Sequence, residues 1–340
     1  MCSLGFCGNL KKGLPPCLKV SAEIRDRMPD PIRDALLIFN PTAGRARGRG
    51  LAALERARKV LAHQGIDSEL APTDGPGSGP ELARRAVRQR RQMVIVCGGD
   101  GTLNEVVNGL AGSVIPLALL PAGTANVFAK ELGLPWNIER AASLIAGSRL
   151  RRIALGHVRA AEWDEVGRYF LSLAGAGPDG AVVRGVDQKL KDRIGTMAFW
   201  LEGFRQLGVY RFPRFRVRLE NGTSEATLII AGRTKHYAGP LRITTHADLY
   251  GNDFEVLLCT TGSRLKYFCY VPLLLAGGLR RARTIRFLRA TKIRCEPIDA
   301  EPAWVQTDGE PAGRLPADFQ IVSDALTLAV PQKSPQKSEG

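Results

Sequence analysis

The chain is 340 residues long, room for about two domains, and its 44% hydrophobic and 24% charged residues exclude a disordered chain. A net charge of +15 favours an acidic partner, whether a nucleotide, a nucleic acid or an anionic membrane surface, and does not separate the three. Seven cysteines with no C-x-x-C pair and no zinc-type Cys/His spacing point to reduced cytosolic thiols.

Residues 1–32 read as a flexible leader, rich in proline and mixed charge and without the apolar core of a signal peptide. The longest apolar run, from Phe268 to Leu279, is too short to span a bilayer, so a cytoplasmic protein that touches membranes from outside is expected. Structure is predicted to start with a strand over 35–39, which runs into Asn40, Pro41, Thr42, Ala43 and Gly44 and then Arg45, Arg47 and Arg49. An amide, a hydroxyl, backbone N–H groups and guanidinium groups at one strand-to-helix turn suit a phosphate; an Asn-Pro turn before a basic helix is the plainer alternative. A helix over 51–63, a strand over 66–71, a glycine-rich loop from Thr73 and a basic helix over 81–91 follow. The Thr73 hydroxyl lies at the C-terminal end of a strand, where α/β sheets bind ligands.

Next comes VIVCGGDGTLNEVVNGL. A short apolar run breaks at Gly98, Gly99, Asp100, Gly101 and Thr102, and Leu103, Val106, Val107 and Leu110 then recur at helical spacing. Strand, glycine turn and helix N-terminus suit a phosphate, beside which Asp100 is out of place unless it handles Mg²⁺ or a proton; a tight strand–helix turn with a solvated aspartate is the plainer alternative. A third such turn, Pro121 to Asn126, follows a strand over 115–120 and offers Gly123, Thr124 and Asn126; helices through 132 and over 137–147 close this block. The alternation predicts a parallel, doubly wound sheet with the three loops gathered at one edge.

From residue 150 the pattern changes to strands over 151–158, 169–174, 215–219, 226–231, 241–245, 254–259, 284–288, 292–296 and 304–307. Helical stretches lie between 175 and 207 and over 263–279, two short strands are expected over 319–330, and the tail over 331–340 reads as disordered. Within the predicted helices over 196–208 and 263–279, the apolar stripes are expected to be core.

Four motifs in order, LLIFNPTAG, VIVCGGDGTLNEVVNGL, LPAGTANVFAKELGLP and VQTDGEP, together with a weaker FLSLAGAGPDGAVV, resemble the diacylglycerol kinase catalytic family, which includes sphingosine and ceramide kinases. The resemblance covers about residues 34–330. It implies an α/β plus mostly β fold: a doubly wound α/β ATP domain over 33–150 that includes part of 319–330, an antiparallel β-sandwich-like lipid domain over 151–318, and an active site in the cleft between them. It implies a lipid kinase using ATP and Mg²⁺, with a membrane lipid as acceptor, peripheral contact to anionic membrane, and room for a homodimer. Carried over by position, Asn40 to Gly44, Thr73, Gly98 to Thr102, Leu103, Asn104, Glu105, Gly123, Thr124 and Asn126 would line the nucleotide. Asp308 would be the base with Glu310 the close second; Asp100 could instead take the proton or hold Mg²⁺ through water. Asp179 aligns with an acid that reads the lipid headgroup in sphingosine kinases, and could equally cap a helix.

Two departures matter. Val127 stands where many bacterial members have an aspartate, and His246 and Gly251 stand where some carry acids for a structural Mg²⁺, with Asp248 and Asp253 displaced. That second metal site is expected to be absent. Arg280, Arg281, Arg283, Arg286 and Arg289 could meet anionic lipid or simply be solvated. The rival expectations are a NAD kinase, which shares GGDGT, and a degenerate membrane-binding module; no nucleic-acid motif with interleaved aromatics occurs.

Overall fold

The computed structural model describes residues 32–42, 49–162, 166–237 and 241–332. Ala43 and Gly44, the leader before Ile32 and the tail beyond residue 332 lie outside the described residues. Ile32 itself, assigned above to the leader, is buried against the first strand and its helices.

The N-terminal half alternates as the sequence predicts: β1 (Asp34–Phe39), α1 (Arg49–His63), β2 (Asp67–Pro72), α2 (Ser78–Arg88), β3 (Met93–Gly98), α3 (Asp100–Leu110), β4 (Pro116–Pro121), α4 (Val127–Glu131) and α5 (Ile138–Ser143). Strands β4, β3, β1 and β2 pair in parallel in that order. Side chains alternate between the two sheet faces, so each strand feeds two cores. Leu36, Ile38, Val94 and Val96 pack on α2 and α3, whereas Ala35, Leu37, Met93 and Ile95 pack on α1 and α5. The predicted α3 stripe of Leu103, Val106, Val107 and Leu110 is fully buried, contributing roughly 2 kcal/mol per side chain as an upper figure.

The C-terminal half contains β5 (Arg149–Ala161), β6 (Arg168–Phe170), β7 (Leu173–Ala176), α6 (Pro178–Gly185), α7 (Gln188–Ile194), α8 (Met197–Val209), β8 (Phe215–Leu219), β9 (Gly222–Ala226), β10 (Leu228–Gly232), β11 (His236–Tyr237) and β12 (Leu241–Arg242). It continues with β13 (Phe254–Cys259), α9 (Arg264–Leu275), β14 (Ile285–Ala290), β15 (Lys292–Pro297), β16 (Trp304–Thr307) and β17 (Glu310–Val330). Its strands pair antiparallel, with β14, β13, β10, β7, β16 and β17 in order, and β5, β15, β8 and β9 extending the sheet from β17. The two layers enclose a core that includes Phe170, Phe215, Val256, Phe254, Ile293 and Phe319.

Three expectations need correction. The segment over 319–330 is not two short strands but the end of β17, a single 21-residue strand. Its register shifts between Val322 and Leu326, where Asp324 takes φ 51°, so a bulge interrupts the polar pattern without ending the strand. β17 pairs antiparallel with β16, β15 and β5 and parallel with β4, joining both halves in one 15-stranded sheet. The strand expected over 169–174 divides at Leu171 and Ser172, whose amides turn toward a carboxylate described below. The helix expected over 263–279 ends at Leu275, one turn after Pro272, and a separate short turn of helix covers Leu279–Arg281.

Candidate active site

The turns after β3 and β4, and the described start of the turn after β1, lie at the carboxyl edge of the parallel strands, and most of their polar side chains are spent on holding the loops. The Asn40 Oδ1 atom accepts from the Thr42 amide at 2.9 Å and the Thr42 hydroxyl at 2.8 Å, closing the turn around Pro41. Asn126, at φ 46°, accepts from the Gly123 N–H and donates to the Gly123 carbonyl, both at 2.9 Å. Glu105 accepts from the amides of Gly77 and Gly79 and so secures the loop that begins at the buried Thr73. Asp100 accepts from the Val127 and Phe128 amides at 3.0 and 3.2 Å, capping α4. Burial pushes the Asp100 carboxyl above the ordinary range, those two amides oppose the shift, and the nearby Asp308 charge adds to it.

The backbone is left to face a ligand. No side chain caps the N-terminus of α3, so the amides of its first turn, at Asp100, Gly101 and Thr102, lack helical acceptors and point outward. Gly99 and Gly123 pack backbone to backbone, and a Cβ on Gly123 would sit 2.5 Å from the Gly99 Cα. This brings the exposed Thr124 beside the α3 N-terminus. A helix dipole, free amides and a hydroxyl in one place are the elements from which an anion site is made.

Facing it is the turn Asp308-Gly309-Glu310, with Asp308 at φ 48° and Gly309 at φ 82°. The two acids have different surroundings. Asp308 Oδ2 accepts from Asn104 Nδ2 and the Leu171 amide, both at 2.8 Å, and Oδ1 accepts from the amides of Ser172 and Leu173 at 2.9 and 3.0 Å. Burial nonetheless holds its carboxyl above the ordinary range, against these donors. Asn104, fully buried, also donates to the Tyr169 carbonyl and accepts from Arg168 Nε, tying α3 to the C-terminal half. Glu310 keeps its side chain 35% exposed and pairs through Oε1 with Lys191 Nζ at 3.3 Å. It hangs over the α3 N-terminus, with a Cβ on Gly101 placed 3.6 Å from Glu310 Oε1.

The C-terminal half holds an apolar cavity of about 230 Å³, walled by α6, α8, α9 and the sheet, with Val182, Phe199, Trp200, Leu207, Ile230 and Leu257 among its lining. Asp179 is on that wall, 6% exposed, where it accepts from the Tyr237 hydroxyl and from Gln306 Nε2. Burial pushes its carboxyl upward, with those two donors opposing. The apolar stripes of α8 and α9, expected above to be core, are so only in part: Tyr267 is buried in a cluster against which Leu207, Tyr270, Leu273 and Leu274 pack, and other members face this cavity or solvent. Met197, Leu201 and Phe204 of α8 and Leu265, Phe268 and Leu275 of α9 are about half exposed or more. A helix wrapped around an open cavity has two apolar faces, which a single core stripe does not describe. Among the described residues, no helix is long and apolar enough to cross a membrane.

Each Asp100 oxygen already accepts one amide of α4, which leaves one lone pair apiece for a water or a cation. A metal that arrives on nucleotide phosphates and keeps most of its waters fits such a site; Glu310 is the acid with an oxygen to offer. At the second suspected metal site, Asp253 is engaged by Arg289 and Asp248 by the Tyr250 amide. The buried Arg233 guanidinium donates to the carbonyls of Leu249 and Gly251, and no group of three metal-type ligands occurs among the described residues. Among the arginines near 280, Arg280 pairs with Glu255 and Arg289 with Asp253, while Arg281, Arg283 and Arg286 are exposed.

Sequence reasoning missed Lys191, Asn104's part in the Asp308 network, and Gln306. Lys191 sits in a charged KLKD run that carries no local signal, and the bond from Asn104 to Asp308 spans 204 residues. Gln306 had a signal: it is a long polar side chain that follows Trp304 and Val305 in a short strand, and it is 1% exposed.

Two family models match the chain in succession. Residues 34–158 match the diacylglycerol kinase catalytic domain, and residues 172–330 match the YegS C-terminal NAD kinase beta sandwich-like domain. The chain is similar to a diacylglycerol kinase of Bacillus subtilis, at 25% identity over 311 residues that cover 90% of this chain and 99% of the relative. It is similar to a diacylglycerol kinase of Staphylococcus haemolyticus at 27% identity over 307 residues, 88% of each chain. In fold it is similar to the crystal structure of a diacylglycerol kinase from Bacillus anthracis, with a TM-score of 0.70 at 23% identity, covering 88% of this chain and 97% of that one.

Proposed function

Because this chain belongs to the diacylglycerol kinase catalytic-domain family of lipid kinases, we propose that it transfers the γ-phosphoryl group of ATP to the hydroxyl of diacylglycerol or a related lipid alcohol. The observation that carries this reading is a juxtaposition. The turn that bears the half-exposed carboxylate of Glu310 faces the α3 N-terminus on one side and is tied on the other, through Gln306, to Asp179 on the wall of an apolar cavity. A cavity so apolar favours a lipid acceptor over NAD, a polar dinucleotide.

The ATP phosphates would lie against the amides of Gly101 and Thr102, with Thr124 alongside and Lys191 supplying a cation. Mg²⁺ bound with ATP would supply further charge neutralisation. The lipid chain would enter the cavity and its hydroxyl would face Glu310. As that oxygen bonds to the γ-phosphorus, the bond to the β-phosphate oxygen breaks, ADP departs, and the hydroxyl proton passes to Glu310. Asp308 is the weaker candidate for the proton because four donors already occupy its two oxygens. Its role in this reading is to hold the turn.

The lipid is reached from the bilayer. The exposed α8 and α9 side chains sit on the two helices that wall the cavity, and would enter the interface of an anionic membrane with the molecule on the cytoplasmic side. Incubating the protein with ATP, Mg²⁺ and a panel of lipid alcohols, with NAD⁺ in parallel, tests the reading. A phosphorylated lipid is expected; phosphorylated NAD⁺ with no lipid product would overturn it.

A further inference from the structure

The lipid-side carboxylate and the catalytic turn are joined by one side chain. Gln306 Nε2 donates to Asp179 Oδ2 at 2.6 Å, and Gln306 Oε1 accepts from the Gly309 N–H at 2.9 Å. Gln306 is 1% exposed and Asp179 6% exposed, so neither bond is shared with bulk water. Both ends of the amide are committed, and a buried amide cannot move at one end without moving the other. The receiving turn is suited to such control. Asp308 lies in the left-handed region at φ 48°, a conformation that a residue with a Cβ adopts at a cost and keeps when its surroundings impose it. Asp179 also has a second tether: its other oxygen takes the Tyr237 hydroxyl, and the adjacent His236 pairs with Glu131 of α4 at 2.7 Å. A continuous set of contacts therefore runs from the helix behind Thr124, through the cavity wall, to the residue between Asp308 and Glu310.

We propose that Gln306 is a positioning residue that couples filling of the apolar cavity to placement of the Asp308-Gly309-Glu310 turn, so that Glu310 is aimed when a lipid hydroxyl stands beside Asp179. This rests on the reading of the cavity as the acceptor site. Before transfer the acceptor hydroxyl donates to Asp179 and competes with Gln306 for that carboxylate, which changes the Gln306 to Asp179 bond and shifts the Gly309 amide; at transfer the same hydroxyl turns to Glu310, which takes its proton.

The test combines kinetics with amide hydrogen exchange. Gln306→Met keeps the side-chain length and removes both hydrogen bonds. It is expected to lower kcat about tenfold while KM for the lipid changes less than about twofold. Combined with Asp179→Asn, its effect is expected to be smaller than the product of the two single effects. In the wild type without nucleotide, adding the lipid alcohol that is turned over (dioctanoylglycerol as the first probe) is expected to change exchange in the peptide that contains Gly309. The same addition to Gln306→Met is expected to leave that peptide unchanged. Multiplicative kinetic effects overturn the coupling. So does a wild-type Gly309 peptide indifferent to lipid, an outcome readable even if Gln306→Met fails to fold. Absence of any lipid product in the wild type sinks the function reading itself, whereas product with an indifferent Gly309 peptide sinks only the coupling.

Discussion

At the scale of single residues, Asp308 and Glu310 stand on either side of Gly309 and are expected to fail differently. Glu310→Gln removes the proposed proton acceptor and leaves the half-buried pairing partner Lys191 in place. Its kcat is expected to fall by about 10²–10⁴-fold with the melting temperature and KM for ATP little changed, measured by coupled assay and calorimetry. Asp308→Asn turns one acceptor into a donor facing two donors, since each oxygen accepts from two N–H groups. Leaving such groups unsatisfied costs about 1–3 kcal/mol, so this variant is expected to melt several degrees lower and to lose activity with it. Asp179 carries a pH signature. Burial holds its carboxyl above the ordinary range. The folded chain therefore binds that proton more tightly than the unfolded one, and stability falls as pH rises from the ordinary carboxylate range through the raised folded value. Asp179→Asn stays neutral throughout. It is expected to melt higher than the wild type at about pH 8, with the gap closing toward about pH 3, below the ordinary aspartate range, where both folded and unfolded Asp179 are protonated. The glycine turns and the acids were legible in the sequence because each is a local pattern. What each acid does was not, because the donors that saturate Asp308 come from residues 104 and 171–173, far along the chain.

At the scale of elements, α3 was readable from its stripe of Leu103, Val106, Val107 and Leu110, and β1 and β3 from their unbroken apolar runs, because burial on both faces leaves no other pattern. The helices α8 and α9 were readable as helices but not as cavity walls: the same apolar side chains serve a core, a cavity or a membrane, and only the packing distinguishes them. Leu265 is 75% exposed and Phe268 55%. Replacing both with glutamate is expected to weaken co-sedimentation with anionic vesicles at least tenfold, since each full burial of such a side chain is worth about 1.5–3 kcal/mol. Activity on a dispersed short-chain lipid should suffer much less, and equal losses on vesicle and dispersed substrate would contradict the assignment of this face. Gly123→Ala places a methyl group against the Gly99 backbone, with no flexible side chain to yield. It is expected to separate the two phosphate-facing turns and raise KM for ATP more than it lowers kcat.

At the scale of the whole molecule, β17 organises the rest. It starts at Glu310 beside the anion site, passes through the antiparallel layers, and ends against β4 of the parallel sheet. The turn that carries the acids is thus built on a strand anchored in both halves, which ties the cleft to the sheet instead of leaving it on a free loop. The sequence concealed this because Asp324 and its bulge interrupt the alternation that marks a strand. The central claim is that this cleft moves a phosphoryl group from ATP to a lipid hydroxyl with Glu310 as proton acceptor. The most direct measurement supplies γ-labelled ATP and Mg²⁺ to the wild type and to Glu310→Gln, with vesicles containing diacylglycerol or a related lipid alcohol, and follows label into the organic phase. The account predicts steady transfer of label to lipid by the wild type and a loss of about 10²-fold or more in the variant, with ATP still bound. Label that stays in water for the wild type, or equal transfer by both proteins, would contradict it.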